Sequence, residues 1–112
     1  MAAVDEFDVV MEQQGTRLWL HLAGDLDVGA TPDFRDAISL AERSDASEVV
    51  VDLSGLAFLD STGLGILLQA CAGPDGTRFR LVRGKSHIQR VIELSGLEPE
   101  LPFLPSTAGS AG

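Results

Sequence analysis

Cysteine is nearly missing: Cys71 is the only one among 112 residues. That excludes an internal disulfide and any metal cluster built on paired thiolates. Positive charge is scarce as well. Eight Lys and Arg stand against 17 Asp and Glu, for a formal net charge of −9 at pH 7. The deficit argues against a nucleic-acid binder, which shows a basic face, and against docking on anionic lipid. No apolar run reaches the roughly 18 residues of a membrane span. The opening residues, MAAVDEFD, lack a cationic region, so no signal peptide is expected and the cytoplasm is the expected compartment. No internal repeat is visible.

What is present suits one compact domain, with 45% hydrophobic and 22% charged residues. Phe7 to Met11 is short and apolar, and Gln13-Gln14-Gly15-Thr16 is turn-like. RLWLHLAG then alternates, with Leu18, Leu20 and Leu22 on one face and Arg17, Trp19 and His21 on the other. The two segments read as a hairpin. Thr31 and Pro32 make a helix start, a hydroxyl cap followed by proline, and Phe34, Ala37, Ile38 and Ala41 recur at helical spacing to Arg43. Val49-Val50-Val51 reads as a central strand, apolar on both sides. Leu64, Leu67, Leu68 and Cys71 form the buried stripe of a second helix, ended by GPDG. TRFRLVRG is another strand. Ser86 caps a third helix carrying Ile88, Val91, Ile92 and Ser95, with Gly96 ending it. LPFLP suggests a last short strand, and STAGSAG a disordered tail. The order β-β-α-β-α-β-α predicts an α/β fold: a mixed, mostly parallel sheet, an N-terminal β-hairpin and helices mainly on one side.

Little in the chain points to catalysis. It has no glycine-rich phosphate loop, and Ser61 lacks the G-x-S-x-G elbow. His21 on a polar strand face and His87 in a first helical turn read as solvated side chains. Cys71 reads as a structural thiol. Asp25, Asp27, Asp52 and Asp60 read as solvated or turn-forming acids whose spacing specifies no metal. Ser61 and Thr62 stand at a helix start, where a hydroxyl is a preferred cap. The same place suits an anion, because free N–H groups and the helix dipole favour negative charge.

Three ordered motifs carry a family resemblance. VVVDLSGLAFLDSTGLGILLQA, residues 49–70, resembles the signature of the STAS domain family, and among its members the anti-sigma-factor antagonists of bacterial partner switching. LHLAGDLDVGATPDFRDAI and VIELSGLEPELPF resemble its second strand with first helix and its last conserved stretch. The likeness implies a STAS domain over residues 1–104 and a tail over 105–112. It implies a binding protein, not an enzyme, with no cofactor of its own. Unphosphorylated, such a protein engages an anti-sigma factor that is also a serine-protein kinase, and a sigma factor is released. Phosphorylation switches it off, and a PP2C-type phosphatase restores it.

Carried onto this sequence, the resemblance makes Ser61 the phosphoacceptor. Asp60 shapes the turn and Thr62 neighbours it. Gly63 and Gly65 keep the helix start open to a partner, Asp25 and Asp27 belong to the same surface, and Ile66 and Gln69 point outward from the buried stripe. The resemblance also admits another use, as the STAS module of a stressosome-like scaffold or a lipid-transport complex. A small Ser61 hydrolase is the third class, lacking an evident base. One departure stands out: such antagonists end in a further helix, which LPSTAGSAG is not suited to form.

Overall fold

The computed structural model describes residues 6–74 and 76–105. Strands β1 (Asp8–Gln14), β2 (Arg17–Leu26), β3 (Glu48–Leu59) and β4 (Phe79–Val82) alternate with helices α1 (Thr31–Arg43), α2 (Ser61–Ala72) and α3 (Ser86–Ser95) in the expected order. The sheet order is β1-β2-β3-β4. β1 and β2 form the antiparallel hairpin, whereas β2–β3 and β3–β4 are parallel. LPFLP is not a full strand. It contributes one parallel bridge, Leu81 to Phe103, flanked by Leu81 N–H to Pro102 O (3.0 Å) and Leu104 N–H to Leu81 O (2.8 Å). The tail residues 106–112 lie outside the described residues.

Register decides which side of the sheet is the core. Leu20, Val51 and Leu81 stand side by side across β2, β3 and β4. With Leu18, Leu22, Val49, Leu53 and Phe79 they face Phe34 and Ile38 of α1, Leu64 and Leu67 of α2, and Ile88 and Ile92 of α3 in one cluster. The opposite face carries no helix among the described residues. There Glu12, Trp19, Val50 and Arg80 form one row. Val50 is nevertheless fully buried, flanked in that row by Trp19 and Arg80 rather than covered by a helix.

The starts of α1 and α3 differ from expectation. α1 begins after Ala30, with no side-chain cap, and Thr31 Oγ1 donates to Val28 O instead. The reason lies upstream. Val28–Ala30 forms a 3₁₀ turn capped by Asp27, and the helix runs on from it. α3 has Lys85 at its N-cap without a side-chain bond, and Gln89 reaches back to accept from Gly84 N–H (2.8 Å). Gln89 is accordingly buried, while Val91 and Ser95 are exposed. Gly96 ends α3 in the left-handed region as expected, at φ 79°.

Candidate functional site

The site lies where β2 and β3 end. Asp60 keeps an extended backbone and its Oδ1 accepts from the N–H groups of Thr62 (3.0 Å) and Gly63 (3.1 Å). Its own N–H bonds Leu26 O (3.3 Å), tying the start of α2 to the end of β2. The expected hydroxyl cap is therefore an aspartate cap. Ser61 is the first residue of α2 and exposed, as is Thr62, and the capping bonds of that turn come from Asp60. The preference ranking explains the exchange, since aspartate caps as well as serine. The signal was in the sequence, one residue earlier than the hydroxyls.

β2 ends in the same way. Asp27 Oδ1 accepts from Gly29 N–H (3.0 Å) and Ala30 N–H (3.2 Å), and the turn it caps packs against α2. Asp25 is half-buried and pairs in register with Phe58. A cleft of about 340 Å³ lies beside them, with Glu6, Asp25, Asp27 and Asp33 in its wall. Asp25, Asp27, Asp60, Ser61 and Thr62 are thus gathered at one end of the sheet, in an acidic setting. Two apolar side chains stand out there, Val28 (68% exposed) and Phe58 (47%). Sequence reasoning missed both: nothing in a local pattern marks which strand residue faces out beyond a register shift, and β2 and β3 slip between Gly24 and Asp25 just before Phe58 pairs, while Val28 sits in the short 3₁₀ turn, which carries no periodic signal.

The remaining predicted residues divide. Gly65 faces open space, with nothing within 4 Å of a built Cβ. Gln69 is exposed on α2. Gly63 is buried and turned inward: a Cβ there would stand 2.6 Å from Leu26 Cγ and 3.1 Å from Leu26 O. Ile66 is also a correction. It is only 4% exposed, because α2 packs on α1 as well as on the sheet. The buried arc of α2 is Gly63, Leu64, Ile66, Leu67 and Ala70, while Leu68 and Cys71 sit at its border. Ile66 and Gln69 line the groove with Arg35, Ile38 and Glu42 of α1. Burial pushes the Cys71 thiol up to about 11, in keeping with a structural role.

The histidines are more engaged than a solvated reading allows. His87 Nε2 donates to Ala57 O (2.7 Å), steadying the strand end that leads to Asp60. On the helix-free face, His21 stands between Asp52 (Nδ1, 2.8 Å) and Glu12 (Nε2, 2.9 Å) and stacks on Trp19, with ring centroids 5.4 Å apart. Bonding to Asp52, then to Glu12, raises the His21 pKa. Both ring nitrogens are engaged by carboxylates, and among the described residues no such cluster is arranged to hold a metal ion. Nor, among them, is any helix long and apolar enough to cross a membrane.

Comparison with known proteins gives this geometry a context. A family model described as Mlab, STAS domain, matches residues 9–105. A STAS-domain containing protein of Pseudomonas aeruginosa strain UCBPP-PA14 is 32% identical over 89 residues, which cover 75% of this chain and 84% of that one. Among solved structures, an anti-sigma factor antagonist from Mycobacterium paratuberculosis superposes with a TM-score of 0.83 at 26% identity, over 99% of this chain and 96% of the other. The antagonist SpoIIAA in its unphosphorylated form shares the fold, with a TM-score of 0.65 at 24% identity over 91% and 92% of the two chains. With the model spanning nearly all of the described residues, the chain belongs to the STAS domain family.

Proposed function

We propose that this STAS domain is an anti-sigma-factor antagonist switched at Ser61. Unphosphorylated, it binds an anti-sigma factor that is also a serine kinase, and the sigma factor held there is released. Phosphorylation of Ser61 ends that binding, and a PP2C-type phosphatase reverses it. The observation that carries the reading is the aspartate cap. Because Asp60 supplies the bonds to Thr62 and Gly63, the exposed Ser61 hydroxyl is left for chemistry. The likeness to the mycobacterial antagonist supports the class.

The physics of the switch is local. A phosphate adds roughly −1.5 to −2 charge units near neutral pH. It would arrive beside Asp60, on an edge already lined by Asp25 and Asp27. A basic partner attracted to that edge meets added bulk on the contact itself, and the phosphate needs no change in the core. Asp25, Asp27, Thr62, Gly65 and Gln69 complete the contact surface in this reading. Gly63 and Ile66 act from inside, by fixing where α2 begins and how it lies on α1.

The test is direct. The chain is incubated with candidate kinase anti-sigma factors and ATP, phosphate is mapped by mass spectrometry, and anti-sigma binding is measured for Ser61→Ala and Ser61→Asp. Modification at Ser61, with binding retained by Ser61→Ala and lost by Ser61→Asp, supports the reading. Full binding by Ser61→Asp sinks it. A second reading is a STAS module of a lipid-transport complex or a stressosome-like scaffold. It is favoured by the matched model and the Pseudomonas relative, neither of which is described as an antagonist. Recovery of a transporter ATPase or a large self-assembly in a pull-down would select it.

A further inference from the structure

The two edges of the sheet are not equivalent. The β4 edge is occupied: Leu81 exchanges bonds with Pro102 and Leu104, and the Phe79 carbonyl accepts from Arg80 Nη1 (2.7 Å). β1 has β2 on one side and, among the described residues, no strand on the other. It is a seven-residue edge without Lys, Arg or Pro, the residues that commonly blunt such edges.

The hairpin turn dictates which backbone groups of β1 face outward. Gln14 pairs with Arg17 across Gly15-Thr16. Gly15 has φ 61° and, among the described residues, no non-glycine residue has positive φ, the pattern of a two-residue turn with glycine first. The pair flanking such a turn exchanges both of its N–H···O=C bonds, and every second pair repeats this. Asp8, Val10, Glu12 and Gln14 therefore bond β2. Val9, Met11 and Gln13 turn their N–H and C=O groups away from it.

This row is self-complementary about its centre. We propose that the β1 edge pairs antiparallel with the β1 edge of a second copy, with the two-fold axis at Met11. Met11 then faces Met11 of the other copy, and Val9 faces Gln13. Every outward residue donates once and accepts once. Val10 comes opposite Glu12, and Asp8 opposite Gln14, so no two like charges are directly opposed. An axis at Val10 or Glu12 would still match outward groups, but it would set Asp8 opposite Glu12, or Glu12 opposite Glu12. An axis two residues away would shorten the ladder. Met11, at the axis, is 39% exposed, and Val10 is 55% exposed; pairing covers both. The contact is isologous, as a closed dimer requires. A single strand pair is small beside the roughly 1,000 Å² of a stable interface, so the dimer is weak and concentration-dependent. With −9 on each chain, it strengthens as salt screens the repulsion.

Sedimentation velocity over a concentration series, in low and high salt, tests this together with hydrogen exchange of the unmodified chain. The expected result is a shift toward dimer with concentration, larger in high salt. The amides of Val9, Met11 and Gln13 gain protection with it, while those of Val10 and Glu12 are protected throughout. Met11→Glu sets two carboxylates at the axis and weakens association about tenfold or more; Met11→Lys does the same. An equimolar mixture of the two restores dimer as the heterodimer. A monomer at every concentration, protection that does not rise at those three amides, or a dimer indifferent to Met11→Glu overturns the proposal. The exchange measurement needs no variant and stands even if a variant folds poorly.

Discussion

Asp27 and Asp60 perform one operation twice. Each follows a strand, keeps an extended backbone near φ −112° and −111° respectively, and offers Oδ1 to the N–H groups two and three residues ahead. The ends of two adjacent parallel strands are finished by the same device, and the exposed serine follows the second. Capping rests on Asp60, and in the proposed reading switching rests on Ser61, so the two are separable by mutation.

Asp60→Ala should lower stability by about 1 kcal/mol, the usual cost of a lost cap, and Asp60→Asn by much less. Ser61→Ala should stay within about 0.5 kcal/mol of the parent, as an exposed position does. Denaturant titration of the three variants checks this. A large loss for Ser61→Ala would return the cap to the serine.

The two glycines of α2 should respond in opposite directions. At Gly63 a methyl group stands 2.6 Å from Leu26 Cγ and 3.1 Å from its carbonyl oxygen, so Gly63→Ala should cost about 1–3 kcal/mol through overpacking. At Gly65 a methyl group meets nothing within 4 Å. Gly65→Ala should stabilise by about 0.5–1 kcal/mol through helix propensity. Thermal melts of the pair give the sign directly.

The Glu12–His21–Asp52 group makes stability depend on pH. His21 has a raised pKa in the folded chain, so its contribution is complete below the ordinary value of 6.5 and fades as pH rises through the folded value. Glu12 and Asp52 are lowered, Glu12 by Gln14 and His21 and Asp52 by Ser54 and His21 against its own burial. Their contribution is complete above the ordinary carboxylate range and is lost as pH falls through their folded values. The stability difference between the parent and His21→Gln should therefore peak between the carboxylate range and pH 6.5 and shrink above it. Trp19 stacks on His21, so its fluorescence should titrate with the same midpoint and lose that titration in His21→Gln.

Arg78 closes the far end of α1. Its Nη2 donates to Glu42 O (2.8 Å), and its Nη1 to Ala46 O (2.6 Å) and Ser44 O (3.2 Å). These carbonyls lie at and just past the helix C-terminus, where a cation is favoured. Arg78→Met leaves them without that donor and should cost about 1–3 kcal/mol. Arg78→Lys should recover only part of it, because an ammonium cannot reproduce the guanidinium fork. Urea midpoints of the two variants measure this.

Fold class was legible because periodicity is a local signal. The leucines of RLWLHLAG and the triple valine at 49–51 report a half-buried and a central strand directly. The gathering of Asp25, Asp27, Asp60 and Ser61 rested on motif likeness, and register then placed them at one end of the sheet. What stayed illegible depends on contacts between distant segments. Ile66 was read as outward because a single stripe assumes one neighbour, whereas α2 has two. Gly63 was read as an opening because its spacing from Leu26 in space has no trace in the sequence. His21 was read as solvated because its partners sit on two other strands.

The cover that Pro102–Leu104 places over β4 has a consequence for growth. In the language of polymer chemistry, a sheet with two open edges is a bifunctional monomer and can lengthen without end. With β4 already capped, the sheet of the described residues is monofunctional: a strand joining at β1 terminates the ladder instead of extending it. Substitutions that loosen Phe103 from Leu81 would raise the functionality to two, and fibre growth is the property to watch in them.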